Sequence, residues 1–168
     1  ETNSFDVSTE LARTLGSECY FVTAPVYCPS IESREILLTH SGVNEVMARA
    51  RKSNLAIVSC GDLTPGTKMT SLSSIGSVRD RLPELKRMGA IGEILGTFLD
   101  AEGKPVDHML NQCVIALPPE DLKSIPHSIL ISGGAYKANI IQAILNAGYV
   151  NCLVTDELVA QRLVAKRK

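Results

Sequence analysis

A chain of 168 residues has the length of one well-packed domain, a size that buries about 70% of the surface its unfolded chain exposes. Its 17 basic and 18 acidic residues leave a net charge of −1, so no basic field is present to hold a nucleic-acid backbone. No apolar run approaches the roughly 18 to 20 residues that span a bilayer, and ETNSFDVSTE lacks the basic and apolar regions of a secretory signal.

The elements follow in chain order. VSTELARTLGS places Val7, Leu11 and Leu15 at helical spacing, and ECYFVTAPVY reads as a strand whose run ends at Pro25. SIESREILL and VNEVMARARKS read as helices, the first with Ser30 as N-cap. LAIVSCG is a continuous apolar run between Asn54 and Gly61, the pattern of a strand buried on both faces of a parallel sheet. RDRLPELKRMG predicts a helix that begins near Leu82, because Pro83 suits a first turn, and that stops at Gly89. AIGEILGTFLDAEGKPVDH, with its glycines and DAEG turn, reads as a strand entering a hairpin. QCVIALP predicts a further strand, and LPPEDLKSIP a turn with one helical twist. The tail repeats the unit: strand HSILISGG, helix YKANIIQAILNAG with Gly148 as its C′ residue, strand VNCLVTD and helix ELVAQRLVAKRK with cations in its last turn. Alternating strands and helices predict an α/β domain with a mainly parallel sheet and helices on both faces.

Five cysteines, at 19, 28, 60, 113 and 152, form no C-x-x-C pair and lie mostly in apolar runs, as buried reduced thiols of a cytoplasmic protein would. His40, His108 and His127 sit in polar, loop-like surroundings expected at the surface, and no metal-ligand spacing is present. No cofactor motif is complete. GDLTPGTKMT spaces Gly61 and Gly66 like a P-loop, yet Thr67 separates Gly66 from Lys68 and Pro65 removes an N–H donor.

The glycine turn in SILISGGAYKANIIQ carries the sharpest chemistry. In parallel sheets ligands bind beyond the carboxyl ends of the strands, where helix N-termini expose N–H groups and partial positive charge. Gly133 and Gly134 let a ligand approach the backbone, and Lys137 adds a full charge in the first helical turn, a combination suited to phosphate or another anion. The plainer alternative is a tight strand-to-helix turn with a solvated lysine. Asp62, Asp100 and Asp156 end likely strands, where each can accept from ligand hydroxyls or cap a turn; for Asp156 the capping role is favoured.

MGAIGEILGTFLDAEGKPV and IPHSILISGGAYKANIIQAILNAGYVNCLVTDELVAQRLV closely resemble the C-terminal part of the effector-binding domain of SorC-type, also called DeoR-type, bacterial sugar-binding regulators. TAPVYCPSIESREILL, VNEVMARARKSN and LAIVSCGDL resemble the preceding segments in the same order, so the resemblance covers nearly the whole chain. It implies a fold like sugar-phosphate isomerases and CoA transferases. It also implies a sensor for a phosphorylated sugar that self-associates as a dimer or tetramer and meets DNA only through a helix-turn-helix outside these residues. On this reading residues 1–168 form an effector-binding domain truncated at its N-terminal side. Carried over by position, Lys137 would contact the phosphate or sugar oxygens beside the turn of Gly133, Gly134 and Ala135. Asp100 would accept from sugar hydroxyls, and Pro25, Gly61 and Asp62 would border the pocket. Gln112 departs from the pattern, standing where many members carry arginine, which weakens any claim about a doubly phosphorylated ligand. The alternative is an aldose-ketose isomerase or related enzyme on the same fold, with Asp62, Glu93 or Asp100 as the base.

Overall fold

Residues 4–64 and 76–165 are described by a computed structural model. The N-terminal part is helical: α1 (Ser4–Leu15), α2 (Ile31–Thr39) and α3 (Ser41–Arg51). The predicted cap of α2 is present, since Ser30 Oγ accepts from the Ser33 N–H at 3.2 Å. The strand expected over 18–27 is not formed. That run lies as irregular chain whose strand-like pairing is limited to one antiparallel bridge between Tyr27 and Val114, while Val22 and Ala24 pack on the cluster of Val43, Met47 and Ile115. Without a partner along its length, its β-branched and aromatic residues have no ladder to join.

The apolar run at 55–61 divides into two strands that serve different sheets. β1 (Leu55–Val58) pairs in parallel with β5 (His127–Ile131), which pairs in parallel with β6 (Cys152–Val154). After Ser59 the chain enters β2 (Cys60–Asp62), which joins an antiparallel sheet with β3 (Gly92–Ile94) and β4 (Thr97–Leu99). The α/β class with a parallel sheet holds, and the predicted hairpin is the β3–β4 pair. Burial of β1 on both faces does not hold. Leu55 and Ile57 of β1 remain 51% and 55% exposed, and Ile131 and Val154, on the same face of their strands, 45% and 51%.

Between β2 and β3 lies α4 (Gly76–Arg87), longer at its start than a helix beginning near Leu82, with Pro83 inside it rather than in its first turn. Gly89 (φ +88°) closes it, its N–H donating to Lys86 O. The strand expected over 112–118 is absent: α5 (Met109–Cys113) takes its first two residues, and the strand pairing of Val114 goes no further than the one-residue bridge to Tyr27. His108 is buried, against expectation, because its Nδ1 accepts from the Leu110 N–H to cap α5 and its Nε2 lies 3.6 Å from Glu84 Oε2 of α4.

A 3-10 turn (Pro119–Ser124) leads into β5, and a second (Ala135–Lys137) leads into α6 (Ala138–Asn146); α7 (Glu157–Ala165) follows β6. Gly148 (φ +71°) stands at the C′ position of α6, as its pattern predicts. The main core lies where α6 buries Ile140, Ile141 and Ile144 against Leu130, Ile94, Leu99 and Val159. Each such side chain contributes about 1.5–3 kcal/mol through removal from water. The α6 face meets β3 so closely that a β-carbon at Gly92 would stand 2.5 Å from Gly61 O and 2.6 Å from Ile140. Of the five cysteines, 28, 60 and 113 are buried and 19 and 152 exposed, and all are free thiols.

Candidate functional site

Because β1, β5 and β6 run parallel and in register, their carboxyl ends come together. The first residues beyond them, Ser59, Ser132 and Gly133, and Thr155 and Asp156, line a cavity of about 360 Å³ with Lys137. Ile131 and Val154, the last strand residues, form its apolar part. Lys137 is held in place by two neutral oxygens: its Nζ donates to Cys60 O at 2.9 Å and to Ser132 Oγ at 3.4 Å. The Cys60 carbonyl reaches it because the chain changes sheets at Ser59. An ammonium has three N–H donors, so one remains for a ligand.

The two glycines have separate reasons. Gly134 adopts φ +100°, a region closed to most side chains, and a β-carbon there would lie 2.7 Å from the Tyr136 ring. Gly133 makes room for a carboxylate, because a β-carbon there would lie 2.6 Å from Asp156 Oδ2. That oxygen accepts from the Gly134 N–H at 2.5 Å, while Oδ1 accepts from the Val159 N–H at 2.9 Å. These backbone donors, Gly134 foremost, hold the Asp156 carboxyl below the usual aspartate range. Asp156 thus caps α7, as its position after a strand predicts, and at the same time reaches the glycine turn. A second tie runs beside it, from Arg162 Nη1 to Ala135 O at 2.7 Å.

The remaining residues named from sequence lie elsewhere in the fold. Asp100 Oδ1 accepts from the N–H groups of Glu102 and Lys104 at 3.0 and 2.8 Å and so closes its own turn. Gly61 lies in β2 opposite Glu93. Asp62 is buried; its Oδ2 takes the Thr64 N–H, and its Oδ1 has no partner among the described residues. Pro25 is exposed, just before the Tyr27 bridge. None of these four lines the cavity at the parallel strand ends. Glu93 Oε2 accepts from the Gly96 N–H at 2.9 Å, and burial raises its pKa despite that bond and the nearby Lys137. Gln112 lies in α5, its amide donating to Asp107. Of the P-loop-like stretch, residues 65–70 lie outside the described residues. Ser59, Ser132 and Thr155 were not singled out from sequence; their one signal is that each is among the first polar residues after an apolar run. The Thr155 hydroxyl is buried and has no partner among the described residues.

Comparison with known proteins places this geometry in a family. Residues 1–165 match the Sugar-bind family of sugar-binding domains. The erythritol catabolism regulatory protein EryD of Brucella abortus is 28% identical over 98% of this chain and 51% of its own length. The transcriptional regulator LsrR of Klebsiella pneumoniae is 32% identical over 86% of this chain and 45% of its own. The chain therefore spans about half the length of the curated relatives it matches. Among solved structures, a transcriptional regulator from Streptococcus pneumoniae superposes with a TM-score of 0.87 at 27% identity, covering 99% of this chain and 64% of that one. A DeoR family transcriptional regulator from Listeria monocytogenes superposes with a TM-score of 0.85 at 25% identity, covering 92% and 62%. The chain belongs to the sugar-binding domain family of SorC/DeoR-type transcriptional regulators.

Proposed function

We propose that this chain is the ligand-sensing domain of a cytoplasmic transcriptional regulator of carbohydrate metabolism, and that its effector is a phosphorylated sugar bound where the parallel strands end. The observation that carries the reading is Lys137, an ammonium set in the cavity wall with neutral oxygens as its partners and a donor left over. A phosphate supplies an anion for that donor, and Gly133, which Gly134 and Ala135 follow in the turn, borders the same space. Ser59 and Ser132 supply hydroxyl partners for a polyol, in keeping with a relative named for erythritol catabolism. Asp100, as an acceptor from sugar hydroxyls, and Gly61, Asp62 and Pro25, as border residues, belong to the proposal for a larger pocket.

Ligand binding would act on the whole regulator by favouring one dimer or tetramer geometry over another, so that separate DNA-binding domains gain or lose operator affinity. Only an effector that binds the two states unequally shifts them. An isomerase reading is disfavoured because none of the carboxylates nominated as its base, Asp62, Glu93 and Asp100, lines the cavity at the strand ends.

A thermal-shift screen against phosphorylated and free sugars tests this directly. One sugar phosphate should stabilise the chain saturably and be recovered unchanged. Lys137→Ala should then weaken its binding by roughly 10- to 150-fold without unfolding the domain, the worth of a charge-assisted contact of about 1.5–3 kcal/mol. Consumption of the sugar phosphate would put the enzyme in first place. Unchanged affinity in the variant would remove Lys137 from the site.

A further inference from the structure

The anion seat of the glycine turn is filled by the protein itself. The Gly134 N–H that a phosphate would use donates to Asp156 Oδ2, and the space above Gly133 that a phosphate would enter holds the same carboxylate. Through its other oxygen that carboxylate caps α7 at Val159, and Arg162 of α7 ties back to Ala135 O. The turn and α7 are therefore stitched together by one acidic side chain whose two oxygens serve the two elements. An incoming phosphate and Asp156 compete for one N–H group, and two anions at hydrogen-bond distance from one donor repel each other. Thr155, the residue before it, also lines the cavity, and its hydroxyl is buried without a partner among the described residues.

We propose that Asp156 is a displaceable latch: it occupies the anion seat in the empty domain, sets the affinity threshold for a phosphorylated effector, and on displacement transmits occupancy to α7. The inference rests on the sugar-phosphate reading above and adds the residue that regulates it. Displacement need not unfold α7, because its backbone bond from Ala160 N to Asp156 O is independent of the carboxylate. What changes is the cap at Val159 and the coupling of α7 to the turn. Since the carboxylate opposes binding, its removal should tighten the site, the reverse of the expectation for a residue that accepts hydrogen bonds from the ligand.

Two variants separate the latch from the cap. Asp156→Ser keeps an N-cap oxygen for α7 but is too short to reach Gly134, and Asp156→Asn keeps length and cap while removing the charge. With inorganic phosphate as the probe, calorimetric titration of the whole chain should show Asp156→Ser binding at least tenfold more tightly than wild type, with Asp156→Asn between them. In hydrogen-exchange measurements, saturating phosphate should speed exchange of the Val159 amide severalfold in wild type and leave it unchanged in Asp156→Ser. If phosphate binds wild type through Lys137 but Asp156→Ser binds equally or less well, the latch is wrong and the anion site stands. If phosphate binds none of the three proteins, both the latch and the phosphate reading fall. Tighter binding without any phosphate effect on the Val159 amide would overturn the transmission to α7.

Discussion

In the antiparallel sheet the carboxylates and the amide of Asn111 are tied into the fold, with Asp62 Oδ1 alone left without a partner among the described residues. Glu93 holds Gly96, Asp62 holds Thr64, Asp100 closes the turn after β4, and Asn111 donates to both Phe98 O and Val106 O while accepting from the Phe98 N–H. All three residues of β4 are buried. The parallel sheet is the opposite case. One of its faces leaves Leu55, Ile57, Ile131 and Val154 about half exposed, and its carboxyl edge gathers Lys137, three hydroxyls and Asp156 around open space. The same residue types therefore mean different things in the two regions. A carboxylate after a strand in the first is a fastening, whereas Asp156 in the second is a fastening that also lines an open cavity.

The contrast can be broken by substitution. Phe98→Ala removes a fully buried ring beside Tyr27 and should cost about 3–5 kcal/mol, read as a lowered urea midpoint with unchanged slope. Gly134→Ala, on the open side, should cost about 1–3 kcal/mol from backbone strain at φ +100°, and the Tyr136 ring must shift as well. A loss as large as that of Phe98→Ala would mean that the glycine turn is core and not rim.

Glu93→Gln tests whether the closed sheet carries an electrostatic load. Burial raises the Glu93 pKa in the folded state, so the native protein binds the proton more tightly than the unfolded chain. Stability from this group is complete below the ordinary glutamate pKa and declines as pH rises through the raised value. The glutamine variant should lack that decline and match or slightly exceed wild type at neutral pH, while keeping an oxygen for Gly96. A wild-type stability that instead rises across that window, by an amount the variant loses, would show that Lys137 outweighs burial. Smallest of all, Ile57→Lys should stay within about 0.5 kcal/mol of wild type, as expected for a half-exposed position on an uncovered face. A cost above 2 kcal/mol would mean that this face is covered in solution.

Legibility from sequence divides along the same line. Residues 127–165 are readable because their signals are local: an apolar strand, a glycine pair, a helix closed by Gly148 and an aspartate that caps the next helix; the terminal KRK expected in its last turn lies outside the described residues. Where partners are distant, reading failed. ECYFVTAPVY has strand composition but only a one-residue bridge to Val114, and QCVIALP gave its start to α5 because His108 caps there. His108 itself has polar neighbours in sequence and is buried by Glu84 and α4, which no local pattern shows. LAIVSCGD carries one continuous apolar signal, yet the chain changes sheets at Ser59. For the site, the pairing of Lys137 with the glycine turn was visible, whereas the reach of Asp156 back to Gly134 joins two segments separated by a whole helix and a strand.

The register of β1 with β5 carries a kinetic consequence. Leu55 pairs with His127 and Val58 with Leu130, and the entire antiparallel sheet, α4 and α5 lie in the chain between them. The parallel sheet cannot close until that long excursion has been brought back, a loop-closure cost met before its contacts give any return. The β3–β4 hairpin and the α6 unit, by contrast, can form from neighbours in sequence. Docking of β1 onto β5 should therefore come late, and Ser59 and the Cys60 carbonyl that holds Lys137 should be the last parts of the strand-end edge to arrive.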